Sequence, residues 1–181
     1  MNRKKLIIIV SFAVAVFIGV GITIAYMTSS SAVSNTFTVG NVKLTLEETT
    51  GTTYQLTPGT TLTKDPVLTV KAGSEASWVF FKAGKDSALS EYVDYEVTTG
   101  WILLDGYTDV YYRRVEKTST DRSFTLLAGD TVRVKDTVTE EQLDSLKQSL
   151  KLAFTGYAIQ RQGFSTPQEA WAALTKEVTR R

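Results

Sequence analysis

Asn35-Thr36-Phe37-Thr38-Val39-Gly40-Asn41-Val42-Lys43-Leu44-Thr45-Leu46 is the stretch on which the fold is decided. Phe37 and Val39 alternate with threonine, and Val42, Leu44 and Leu46 alternate with Lys43 and Thr45. A period of two sends successive side chains to opposite faces of an extended chain, so each run reads as a strand with one apolar face. The phase slips at Gly40-Asn41, where a bulge or turn fits. Toward the C-terminus the same signal recurs in 67–71, 77–82, 92–98, 101–104, 109–115, 122–127 and 131–135. Gly51, Pro58-Gly59, Ala72-Gly73, Gly84, Gly100, Gly106 and Ala128-Gly129 separate these runs. Short strands spaced by about ten residues favour a sandwich or barrel over a βαβ fold.

Residues 151–162 form a longer run, in which Leu152, Phe154 and Ala158 oppose Ala153, Thr155, Tyr157 and Ile159. Both phases carry apolar side chains, as a central strand requires. Two helices interrupt the strands. Thr139-Glu140-Glu141-Gln142 is a capping box, followed by Leu143, Leu146 and Leu150 on one face. Thr166-Pro167-Gln168-Glu169 is a second, with proline at the first helical position and an apolar stripe of Trp171 and Leu174. The predicted fold is all-β, a sandwich over residues 35–181 with two short peripheral helices and a core that includes Phe37, Leu44, Leu46, Leu152, Phe154 and Trp171.

Ahead of this domain the chain opens Met1-Asn2-Arg3-Lys4-Lys5 and continues in an apolar run over 6–25. A basic start and an apolar helix read as an export signal over residues 1–25. The run is also long enough to stay in the bilayer as an uncleaved anchor, oriented by the basic residues. Thr23-Ile24-Ala25 offers small residues for cleavage between Ala25 and Tyr26, and the uncharged, serine-rich sequence that follows is unlike a stop-transfer flank. Contact with the membrane is then transient. Residues 26–34 read as a flexible lead-in.

Composition excludes several classes of function. Three of the 20 basic residues lie in the export segment, leaving 17 against 19 acidic, a net charge of −2. No basic surplus exists for nucleic-acid binding. Cysteine is absent, so packing and strand pairing must supply the stability that disulfides give many exported domains. Histidine is absent too, which rules out a Ser-His-Asp triad, a Cys-His pair and a His-Glu-x-x-His zinc helix.

The remaining polar clusters have simple readings. Lys64-Asp65 could form a catalytic pair, but Leu56-Thr57-Pro58-Gly59 before it and Pro66 after it suggest a turn and an edge strand. Glu140 and Glu141 suit a helix's first turn, and nothing in the sequence joins them to Glu47 and Glu48. Asp105 and Asp109 flank Gly106 without the spacing of a calcium loop. Trp78, Trp101 and Trp171 fall in strand or helix patterns that point to core packing rather than sugar stacking. No catalytic residue, metal ligand or cofactor site emerges.

The block Ile22-Thr23-Ile24-Ala25-Tyr26, a Ser/Thr stretch, and then 35–46 resembles the TasA/camelysin family of exported Gram-positive proteins. Pro58-Gly59 with Lys64-Asp65-Pro66, and Gly73-Ser74-Glu75-Ala76-Ser77-Trp78-Val79, are also similar to that family. The ending, Ala158-Ile159-Gln160 through Gly163-Phe164 to Ala170-Trp171-Ala172-Ala173-Leu174, resembles its pilin-like biofilm-matrix members. Tyr26-Met27-Thr28-Ser29 stands where the family usually has an aspartate. The resemblance implies a jelly roll, processing by a SipW-type signal peptidase, secretion to the matrix or cell surface, and homopolymers built by donor-strand addition. Tyr26, Met27, Ala32 and Val33 are the candidate donor residues. Two other readings remain open: a monomeric wall- or carbohydrate-binding module, for which exposed Trp101, Tyr111 and Tyr112 would speak, and a camelysin-like metalloprotease, for which the chain has no histidine.

Overall fold

The computed structural model describes residues 26–28, 36–51, 53–146 and 150–179. The leader, with Ala25, and the candidate donor residues Ala32 and Val33 lie outside them.

The longest strand organises everything else. β13 (Leu150–Gln160) alternates as its sequence predicts: Leu150, Leu152, Phe154 and Ala158 are buried on one face, while Tyr157 and Ile159 point to the other. Along one edge, β13 pairs antiparallel with β7 (Ser77–Lys85), from Leu152↔Lys85 to Gln160↔Ser77. The sheet continues from β7 to β10 (Val110–Val115) and ends at β9 (Ile102–Leu103).

The other edge of β13 is shared by two short strands. β2 (Thr36–Val39) lies parallel to its second half, from Gly156↔Thr36 to Ile159↔Val39. β1 (Tyr26–Thr28) lies parallel to its beginning, with Met27↔Leu150 and Thr28↔Lys151, and is bordered outside by antiparallel β4 (Thr53–Gln55).

Two three-stranded antiparallel sheets contribute to the core on the inner face. One has the order β11 (Arg122–Thr125), β6 (Val67–Val70), β3 (Leu44–Glu47). The other has the order β5 (Thr61–Thr63), β12 (Thr131–Val134), β8 (Val93–Asp94). Leu44, Leu68, Val70, Val132 and Val134 from these sheets pack with Val79, Phe81, Leu152 and Phe154 from the main sheet. Gly156 permits the close approach: a Cβ there would stand 2.8 Å from Leu68 Cδ1. The phase slip at Gly40 is a turn rather than a bulge. Gly40 has φ +80°, and the chain leaves the main sheet for the smaller one there.

The outer face carries a second apolar cluster. Trp78, Phe80 and Ile159 of the sheet are buried in one cluster with Ala170, Trp171 and Leu174 of the helix α3 (Pro167–Thr179). The ring of Trp171 meets Phe80 at 5.2 Å and Tyr157 at 4.9 Å between centroids. Both predicted capping boxes form. Thr139 and Gln142 cap α2 (Glu140–Asp144), and Thr166 exchanges hydrogen bonds with Glu169 at the start of α3.

Several expectations need correction. Among the described residues there are three short α-helices rather than two, because α1 (Leu89–Tyr92) forms a single turn where the pattern has Tyr92 opening a strand. α2 ends at Asp144, so Leu150 is the first residue of β13, drawn there by inward burial rather than lying on the helix face. Phe37 is only half-buried; it lies outside the main core and stacks on Tyr157 at 5.3 Å. Leu46 is also half-buried, though packed against that core, whereas Leu44, Leu152, Phe154 and Trp171 are buried. The sequence pattern starts the domain at residue 35, yet Tyr26–Thr28 already pairs within the main sheet.

Candidate functional site

Two features meet at the β4–β1 end of the main sheet. The first is β1 itself. Met27 is wholly buried, a single apolar knob set between Tyr54 of β4 and Leu150 of β13, its partners in register. Of the candidate donor residues, Met27 is therefore placed in the chain's own sheet, and Tyr26 joins the ladder opposite Gln55.

The second is a buried lysine. The run Thr61-Leu62-Thr63-Lys64 alternates, and Leu62 packs against the core while Thr61 and Thr63 are exposed. Lys64 continues the inward phase and has no exposed surface at all. Its backbone N–H donates to the Asp130 carbonyl at 2.8 Å, which fixes the chain just beyond β5. Glu48 arrives by the same logic, two residues beyond Leu46 in the phase of Leu44 and Leu46. Lys64 Nζ donates to Glu48 Oε1 at 2.6 Å, with Glu48's side chain only 8% exposed. The neighbouring Glu47 is exposed.

An unpaired ammonium in such a place would cost several kcal/mol, so the carboxylate partner is obligatory. Aromatic faces help: Nζ lies 5.7 Å from the Tyr54 ring centre and 5.6 Å from that of Phe154. Burial pulls the Lys64 amine below its ordinary value, and contact with Glu48 opposes that pull. Tyr54 closes the pocket, its hydroxyl donating to Glu48 Oε1 at 3.2 Å. Burial, together with the charge of Glu48, pushes its phenol up.

Asp65 holds the turn that delivers Glu48. Its carboxylate accepts from the backbone N–H of Thr49 at 3.0 Å and of Thr50 at 2.9 Å, and from both threonine hydroxyls. Desolvation works to raise this carboxyl, but the four donors outweigh it and hold it down at about 2. Thr50 Oγ1 also lies 3.4 Å from Glu48 Oε1 and 3.0 Å from the Tyr54 hydroxyl, so Glu48, Thr50, Tyr54, Lys64 and Asp65 form one network.

Sequence reasoning weighs Lys64-Asp65 and Glu47/Glu48 separately and does not join them. The signal that would join them is phase, since both Lys64 and Glu48 extend an alternating run on its buried side.

Elsewhere the named residues do not converge. Asp109 pairs with Lys82 at 3.6 Å, Asp105 is exposed, and Glu140 and Glu141 are exposed on the first turn of α2. Among the described residues no group of three or more metal-ligating side chains is found. Trp78, Trp101 and Trp171 are all buried, in keeping with core packing. Tyr111 is half-buried and stacked on Phe81 at 4.9 Å, and Tyr112 is half-buried too. The exposed ring platform expected of a sugar binder is therefore not formed by these residues. No described helix is long and apolar enough to cross a membrane. No family model, no curated protein and no solved structure matches the chain.

Proposed function

We propose that this protein is a structural subunit of an extracellular biofilm-matrix fibre, in which one subunit's N-terminal segment completes the sheet of the next. On this reading the sandwich is a jelly roll, the leader is removed between Ala25 and Tyr26 by a SipW-type peptidase, and the partner is another copy of the chain. The observation that carries the proposal is the placement of β1. A groove between β4 and β13 accepts a three-residue strand with one buried knob, Met27. An identical segment from a neighbour offers the same main-chain donors and acceptors and the same methionine. Exchanging it costs little, because the pairing that one chain gives up within itself is restored between two. The donor and the groove are different surfaces, so the contact does not close on itself and propagates into filaments. The resemblance of 22–46 to the TasA/camelysin proteins supports the same reading.

Deleting residues 26–34 tests it. Negative-stain microscopy and light scattering should show filaments from the mature protein and none from the deletion variant, with circular dichroism confirming that the variant still folds. A synthetic peptide of residues 26–34 should then bind the variant and raise its melting temperature. Filaments of normal width from the deletion variant would overturn the proposal. Lys176→Ala, an exposed change on α3, should leave assembly intact.

A further inference from the structure

We infer that Lys64 and Glu48 become joined in the folded chain by an intramolecular amide bond between Lys64 Nζ and Glu48 Cδ. Four observations converge on this. The amine and the carboxyl are in contact, at 2.6 Å between Nζ and Oε1. Both are withheld from water, with side-chain exposures of 0% and 8%. Aromatic rings of Tyr54 and Phe154 flank the amine. Finally, the Tyr54 hydroxyl is aimed at the same carboxyl oxygen that receives the amine, at 3.2 Å.

The chemistry balances without a co-reactant. Within the hydrogen-bonded pair a proton passes from the ammonium to the carboxylate, giving a neutral amine and a neutral acid. A pocket that disfavours separated charge favours that neutral pair. A turn of the glutamate's terminal torsion, a broad sp³–sp² rotor, presents Cδ to the amine lone pair. Nζ attacks Cδ and negative charge develops on Oε2, while the Tyr54 hydroxyl, donating to the protonated Oε1, assists the departure of that oxygen. Oε1 leaves as water, taking the acid's proton and one from nitrogen, and Oε2 becomes the amide oxygen. One N–H and one C–O bond break; one C–N and one O–H bond form. Nothing is oxidised or reduced. Holding the two groups together supplies the effective concentration that the reaction lacks in solution. Loss of the product water from a closed apolar pocket opposes the reverse hydrolysis.

The bond would close a loop from residue 48 to residue 64 that contains all of β4. It would thus lash the outer wall of the β1 groove to the ends of β3 and β5. The inference holds whether or not the chain polymerises.

Trypsin gives a direct test, because no lysine or arginine lies between Lys43 and Lys64. Digestion of the folded full chain, denatured only after folding, should yield a peptide of residues 44–71. It should be uncut after Lys64, lighter than its sequence by one water, and silent to backbone fragmentation between residues 48 and 64. The same chain kept in denaturant from synthesis should be cut after Lys64 at full mass. Lys64→Arg should likewise release peptide 44–64 at full mass. A full-mass peptide 44–64 as the main product from the folded wild type overturns the inference, and this readout does not depend on any variant folding. A water deficit in the never-folded chain or in Lys64→Arg would overturn it equally, by placing the dehydration elsewhere.

Discussion

The two edges of β13 are built differently. On one, β7 runs antiparallel beside it without a break from Leu152↔Lys85 to Gln160↔Ser77. On the other, the same length is shared between β2 and β1, both parallel, with β1 contributing only two register pairs to β13. The β7 edge joins two long strands whose apolar side chains are buried on both faces of the sheet, so neither can leave without dissolving the core. The β1/β2 edge is assembled from pieces, and β1 is held by one buried side chain and two short ladders, to β13 and to β4. The first edge is the more extensively paired, and the second is the one that the proposed strand exchange would use.

The largest effect should come from attacking β13 itself. Phe154→Ala should cost about 3–5 kcal/mol in a urea titration, since the ring is buried and packs against Phe81 at 6.0 Å. The matched change on the other edge, Phe37→Ala, should cost only about 1 kcal/mol, because that ring is half-buried and its main contact is the stack on Tyr157. Equal losses would erase the contrast between the edges. Gly156→Val should cost about 1–3 kcal/mol by overpacking. Its added carbons would meet Leu68 and Leu44 of the facing sheet as well as Thr36 of β2, and recovery in a Gly156→Val/Leu68→Ala double variant would trace the loss to that contact.

A smaller effect separates the β4–β1 end by pH. Asp65 is held at about 2, below its ordinary 3.8, so its folded form releases its proton more readily than the unfolded chain. The resulting stability is fully present above about pH 4 and is lost as pH falls through about 2. After allowance for solvent screening it amounts to on the order of 1 kcal/mol. Acid titration of wild type against Asp65→Asn should show this component only in wild type. If the two curves run parallel from pH 5 to pH 2, the four hydrogen bonds to Asp65 do not hold in solution.

What the sequence makes legible follows the same division. β13 is readable because its alternation is long enough to distinguish from chance, β7 because Trp78-Val79-Phe80-Phe81 is an unbroken apolar run, and both capping boxes because a side chain and a backbone donor at fixed spacing define them. β1, β4 and β5 are not, since three-residue strands carry only one or two inward side chains and so have no period to detect. Met27 cannot be placed without its partners, which lie in 53–55 and 150–151, far along the chain. Leu150 reads as part of a helix because its spacing from Leu146 suits a helical face, and only the pairing of β13 decides otherwise. Lys64 and Glu48 are each visible as charges, but charge alone argues for the surface, and it masks the alternating phase that argues for the interior.

The separation of β1 from β2 sets a ruler. Eight residue steps connect Thr28 to Thr36, and a fully extended chain covers on the order of 27 Å in that many. Within one subunit the same residues sit against Lys151 and Gly156, five steps apart along β13, or roughly 17 Å. A segment that leaves its own groove therefore has only about 10 Å of slack beyond its resting span. On the proposed exchange, the groove that receives Thr28 would have to lie within about 27 Å of the donor's own Thr36, so the axial repeat of such a fibre would be limited by chain length.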